Sequence, residues 1–459
     1  MKTLHIKTAL LLPVMLLLMS AALTERQVFP DVEKYKLKNG LEVIFADFGE
    51  LPVTHFSLFV NAGTKSETPG QQGLASLTVN ALTLGSTKYP RVEQDRLLYK
   101  MGTSISANAS KNYSSISMDI LNKDLEQGLD IFSATVLNPL FPKQDIEQQK
   151  GFTLSTNKLS KIDIQNLAGV FGDYFAFGIN HPLGRHFYEA QMKKVTVDSI
   201  RLFYQFNFTP GNSKLVVTGK TDRSKVKTLI EKNFGPWSAP YGENNSASYD
   251  VLPIKGRQFA FIGKENANQV ALNWMKPSPS AGSKDILAFM IANRAFSDLL
   301  MNEIREKRGY TYGIFSQFSQ TQNDGIFRTM TMVRNEVFDS TIAAFDFCLN
   351  KFNKDGITQK QLDKFRTMML NNITGMEEPS ELAEHLNPWA FRDYAKHRMV
   401  TEELKKLDLE TVNKVIKKYF LPGQYKMVVA GDPIVLKPSL DKLQGLRIFT
   451  VSELERDKG

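Results

Sequence analysis

Residues 193–219 read KKVTVDSIRLFYQFNFTPGNSKLVVTG, and residues 405–431 read KKLDLETVNKVIKKYFLPGQYKMVVAG. The two align without a gap at an offset of 212 residues. Pro210-Gly211 meets Pro422-Gly423, Lys214 meets Lys426, Val216-Val217 meets Val428-Val429, and Gly219 meets Gly431. Each copy reads as a helix with Ser or Thr near its start, a Pro-Gly turn, and a buried strand ending at Gly. A unit this long, present twice, points to two similar domains and not to a solenoid.

The starts of the halves correspond as well. YKLKNGLEVIFADF, 35–48, has Asn39-Gly40 between alternating apolar residues and predicts a hairpin. THFSLFVNAG, 54–63, predicts the next strand. In the second half RQFAFIGKENANQVALNWM, 257–275, gives strand, polar turn, strand. LEQGLDIFSATVLNPLF, 125–141, and DSTIAAFDFCLNKF, 339–352, have the apolar spacing of buried helices. The polar stretch 238–256 is the natural linker. The expected fold is α+β in two homologous halves, 30–237 and 257–450, each an antiparallel-rich sheet packed with helices.

The 459 residues exceed what one core usually serves, and 42% apolar with 23% charged residues is ordinary globular composition. The N-terminus has Lys2 and Lys7, then a short apolar run from Thr8 to Met19 containing Pro13, then Ser20 and Ala22 at cleavage-site spacing. That predicts a secretory signal peptide over 1–22 and a periplasmic or otherwise exported protein. The run is short for a membrane span. The formal charge of +9 becomes +7 once Lys2 and Lys7 leave, and the basic residues are scattered. Nucleic-acid binding has little support. Cys348 is the only cysteine, so no internal disulfide can form, and its helical setting predicts a buried, inert thiol.

Two related α+β halves, the leader, and the frame GQQGLASLTVNALTLGST at 70–87 together resemble the M16 zinc peptidases. The resemblance runs from about Tyr35 to about Thr450, and the layout resembles the M16B branch, in which two such chains form one clamshell. Active members carry H-x-x-E-H on a helix. Two His one turn apart hold Zn²⁺, and the Glu acts on the metal-bound water. A second Glu some seventy-odd residues on is the third protein ligand. In that frame the first His falls at Ser76, the catalytic Glu at Val79, the second His at Asn80, and the distal Glu near Thr156. A hydroxyl and a carboxamide are poor zinc ligands, and Val cannot move a proton.

The remaining histidines offer little. His181 and His186 are a loop pair in NHPLGRHFYE, and ELAEH, with Glu381, Glu384 and His385, lacks a first His. A solvated helix face is the plain reading of the latter. Ser76 lies in GLASL, which is not a G-x-S-x-G nucleophile elbow.

The second half keeps something different. NEIREKRGYTYGIFSQF, 302–318, resembles the family's Arg/Tyr segment, with Arg305 followed seven residues later by Tyr312. The resemblance implies that this pair reaches toward the zinc across a closed chamber. There the Tyr hydroxyl hydrogen-bonds the oxyanion and the Arg holds the substrate backbone, and such donors are worth roughly 10²–10³ in rate. The plain alternative is a helix end with Gly309 at C′, basic residues in its last turn, and aromatics that simply pack. ANRAFSDLLMNE, 292–303, departs from the small residues usual before this helix. The stretch 104–120, SISANASKNYSSISMDI, fits a solvated edge strand able to pair with peptide.

These readings imply a non-catalytic M16B subunit. It would bind no metal itself and would pair with an H-x-x-E-H chain that carries zinc. It would help form a peptide-degrading chamber and would lend Arg305 and Tyr312 to the partner's site. The alternatives are a non-hydrolytic peptide-binding or scaffolding protein of the same fold, and a free-standing peptidase using another site. A homodimer remains open at this point.

Overall fold

The computed structural model describes residues 30–160, 163–178, 180–185, 189–238, 254–280, 282–320, 325–374, 376–387 and 401–450. The expected leader, most of the 238–256 stretch, and His186 lie outside the described residues.

Two six-stranded mixed sheets form the framework. The first contains β1 (Val32–Lys36), β2 (Glu42–Asp47), β3 (Val53–Val60), β4 (Ile105–Ala109), β5 (Ser114–Leu121) and β6 (Ser213–Gly219), in the order β1-β2-β6-β3-β5-β4. The second contains β7 (Arg257–Gly263), β8 (Gln269–Pro277), β9 (Ile314–Gln320), β10 (Gly325–Arg334), β11 (Tyr425–Gly431) and β12 (Arg447–Phe449), in the order β12-β7-β11-β8-β10-β9. The expected 35–48 hairpin is there, with Tyr35 opposite Val43 and Lys36 opposite Glu42.

The repeated motif supplies the centre of each sheet. A capping box between Thr196 and Ser199 starts the helix Val197–Asn207. In the second copy the Asp408 carboxylate accepts from the Thr411 amide and starts Leu409–Tyr419. Each helix then leads into the strand that inserts mid-sheet. β6 lies parallel to β2 and antiparallel to β3, and β11 stands in the same relation to β7 and β8.

Both central strands are buried nearly end to end, which explains their unbroken apolar runs. One face of each packs on its own half's helices. Leu215 and Val217 join Val79, Leu82 and Phe132, while Met427 and Val429 join Phe289 and Phe296. The opposite faces are covered by exchange. The helix Ile164–Phe177 from the first half lies on the second sheet, with Leu167, Phe171 and Phe175 against Ala271, Val428 and Phe449. The helix Pro379–His385 from the second half lies on the first sheet, with Leu382 and Ala383 against Ile44, Phe59 and Val216. ELAEH is therefore part of this inter-half contact, and its Glu381 accepts the amides of Glu377 and Glu378.

Gly172 explains how the exchanged helix gets so close. A Cβ there would stand 2.2 Å from the Asn273 amide nitrogen, which instead donates to the Ala168 carbonyl at 3.1 Å. Among the described residues no helix is long and apolar enough to cross a membrane.

Candidate functional site

The helix Leu74–Leu82 carries Ser76, Val79 and Asn80, the positions that the resemblance aligns with a metal motif. Its N-terminus is capped from a distance. The Glu67 carboxylate accepts the amides of Gly73 at 3.0 Å and Ala75 at 2.8 Å, satisfying donors that the helix cannot use. Arg185 donates to the Glu67 backbone carbonyl at 2.6 Å and to Asn180 at 2.8 Å. Burial pushes the Glu67 carboxyl up to about 8, against the pull of the two amides and of Arg185.

A cleft of about 330 Å³ opens beside this helix, lined wholly from the first half. Ser76 and Asn80, one turn apart, face it together with Glu67, Gln72, Thr153 and Arg185. Val79 points the other way and is fully buried in the first core. Thr156 is exposed on the helix Lys143–Ser160, its hydroxyl donating to the Phe152 carbonyl at 3.1 Å. That helix meets the cleft through Thr153, one turn earlier than the position expected from spacing. The lining does not fit zinc. It offers three hydroxyls (Thr64, Ser76 and Thr153), two carboxamides, one guanidinium and one carboxyl already committed to a helix end. Among the described residues no cluster of three His, Cys, Asp or Glu side chains could hold a metal.

Other polar groups singled out by type have structural partners. Nδ1 of His55 lies 2.9 Å from the Asp119 carboxylate and Nε2 lies 2.8 Å from the Ser57 hydroxyl, on facing strands β3 and β5. This mimics a Ser-His-Asp relay. Ser57 is nevertheless only 1% exposed under the exchanged helix, closed to any substrate. The His181 Nδ1 accepts from the Leu183 amide at 3.1 Å while its ring stacks on Phe177. Cys348 is buried, which pushes its thiol up to about 12 and leaves it inert.

In the second half the helix Ile286–Leu300 continues into a π-helical turn, Met301–Glu306. The Tyr310 amide bonds to the Ile304 carbonyl at 3.1 Å and the Gly309 amide to Arg305 at 2.9 Å. Gly309, at φ 62°, supplies the left-handed residue such a C-cap requires. The helix-end reading is thus correct as local structure. The accompanying idea that the aromatics simply pack holds for Tyr310, which lies against the second core, and fails for Tyr312, which is 93% exposed. The chain around Tyr312 is pinned nonetheless. The Thr311 hydroxyl donates to the Met332 carbonyl at 2.9 Å and accepts from Thr331 at 2.8 Å. Glu303 draws in Lys307 and Arg308, whereas Arg305 faces outward, 3.6 Å from the exposed Glu306 carboxylate. The 104–120 stretch forms the β4–β5 hairpin, with β4 at the sheet edge.

Two related α/β halves, each built on a six-stranded mixed sheet, define the fold class. Comparisons agree. The family described as Insulinase (Peptidase family M16) matches residues 51–166, and Peptidase M16 inactive domain matches residues 194–369. The chain belongs to the M16 family. It is 22% identical over 413 residues to an uncharacterized zinc protease of Mycobacterium tuberculosis, covering 86% of this chain and 92% of that one. It is 24% identical to the zinc protease PqqE of Helicobacter pylori, covering 81% and 86%. A solved M16 inactive domain from Pseudomonas fluorescens superimposes with a TM-score of 0.80 at 21% identity, over 88% of this chain and 98% of that one. The periplasmic protease PqqL of Escherichia coli gives 0.76 at 16% identity, over 88% and 46%.

Glu67, Gln72, Arg185 and Thr153 were missed from sequence. Glu67 had a weak signal, an acidic residue six positions before a Gly-led helix start.

Proposed function

We propose that this chain is the non-hydrolytic member of a two-chain M16B peptidase. Its partner carries H-x-x-E-H and the zinc, and the two halves of the pair enclose a peptide chamber. Arg305 and Tyr312 complete the partner's site. The Tyr312 hydroxyl donates to the oxyanion that forms at the attacked carbonyl, and the Arg305 guanidinium holds the substrate backbone. The pairing is heteromeric, and the exported compartment is the periplasm.

The observation that carries this reading is the exposure of Tyr312 on a pinned segment. A large aromatic that is 93% exposed and rigidly presented has no packing role within its own chain. The π-helical turn holding Arg305 supports it, because such turns gather at functional sites. The first half supports it by the loss of every metal-binding group on its motif helix.

The test is co-purification of the tagged mature chain from its own cell envelope, followed by peptide-hydrolysis assays on the recovered complex. A stoichiometric H-x-x-E-H chain is expected, and its activity should depend on the present chain. Recovery of this chain alone, or only with copies of itself, overturns the reading.

A further inference from the structure

The cleft beside Ser76 is an open space of about 330 Å³ whose lining, among the described residues, offers no metal-binding set. Three features define what it can take. Gln72 is 2% exposed, and its Oε1 has no hydrogen-bond partner. A buried polar atom left this way is a standing cost that a ligand can relieve. Among the described residues neither the Ser76 hydroxyl nor the Asn80 carboxamide is engaged within the protein, and both line the same space. The ionisable groups are turned into the wall, Glu67 Oε1 to the amides of Gly73 and Ala75 and Arg185 to the carbonyls of Glu67 and Asn180.

What the cleft offers is therefore neutral. Hydroxyls and carboxamides each donate and accept. A peptide group, with one N–H and one C=O, is the ligand such a lining matches. The one carboxyl of the lining, Glu67, already accepts two helix amides, and the one guanidinium, Arg185, already donates to two carbonyls. Leu77 and Met192 add apolar wall for the adjoining Cα and side chain. We infer that this cleft is a subsite for an uncharged peptide group of an extended chain, held through Gln72, Ser76 and Asn80 without hydrolysis. This rests on the reading that the protein handles peptides, and it gives the first half a part of its own in the chamber.

The experiment uses the full mature chain with ¹³C-methyl-labelled methionine, titrated with the capped dipeptide N-acetylalanine N-methylamide. The Met192 methyl signal is expected to move and saturate. Asn80→Ala, on an exposed position, should weaken that response several-fold. Gln72→Leu should abolish it while raising the melting temperature, because it removes the orphaned atom. A Gln72 with a purely structural role would instead lower the melting temperature. Methylammonium and acetate should leave Met192 unmoved. An unmoved Met192 with the capped dipeptide, an equal response to either ion, or an unchanged response in Gln72→Leu each overturns the inference. None of these outcomes bears on whether Tyr312 serves a partner, which is read from turnover of the complex.

Discussion

The ammonium of Lys426 lies 2.6 Å from the carbonyl oxygen of Phe175, 251 residues away in the chain. It also reaches the Ala176 carbonyl at 3.1 Å. A side chain of the second half thus caps the C-terminus of the first half's exchanged helix, where carbonyls lack intrahelical partners and a cation is favoured. The two halves are joined by hydrogen bonds as well as by apolar burial.

Replacing Lys426 with Met keeps the stem and removes the donor, leaving two buried carbonyls without it. Stability should fall by about 1–3 kcal/mol. Urea unfolding followed by circular dichroism measures this, and an unchanged midpoint with an unchanged slope would contradict the capping role.

Asp173, on the same helix, accepts from Arg328 of β10 and from Lys111 at 3.2 Å. The Asp173 and Arg328 side chains are 9% and 14% exposed. Asp173→Ala strands a buried guanidinium and should cost about 3–5 kcal/mol. The double variant Asp173→Leu with Arg328→Met should recover much of that loss. A double variant no better than the single one would show that the pair's charge is not what matters.

The Glu67 carboxyl, pushed up to about 8, makes stability depend on pH. In the unfolded chain it titrates near roughly 4.3. Between these values the folded protein keeps a proton that the unfolded chain has released, so stability falls as pH rises through the window. Glu67→Gln keeps an acceptor for the Gly73 and Ala75 amides and has no proton to lose. The variant should have a flatter profile from about pH 5 to about pH 8, and exceed the parent above that by on the order of a few kcal/mol. Identical profiles would exclude Glu67 as the titrating group.

Histidines at positions 76 and 80 should not by themselves hold zinc. Ser76→His with Asn80→His places two imidazoles at the cleft without a third protein ligand. Zinc should be lost on dialysis, as read by atomic absorption. Adding Thr153→Glu should retain it, while adding Thr156→Glu should not, because Thr153 and not Thr156 lines the cleft. Val79→Glu should instead destabilise the chain, since Val79 is fully buried.

Much of this architecture was legible. The 212-residue repeat carries its own punctuation, a capped helix, Pro-Gly and an apolar strand, and each part has a local physical cause. The partner of an apolar face has no local cause. Phe171 and Phe175 announce a buried helix without saying that it covers the other half's sheet. Tyr310 and Tyr312 are two residues apart and alike in chemistry, so only the fold tells which one packs. The Thr153 and Thr156 difference is of the same kind, one helical turn that spacing alone does not resolve. Gln72 gave no signal, because its meaning lies in a missing partner.

The most direct measurement is peptide turnover by the proposed two-chain complex carrying Tyr312→Phe. Tyr312 is almost wholly exposed, so folding and assembly should be unchanged while turnover falls roughly 10²–10³-fold. Unchanged turnover in an intact complex would contradict the account, and would leave this chain a scaffold with no part in the partner's chemistry.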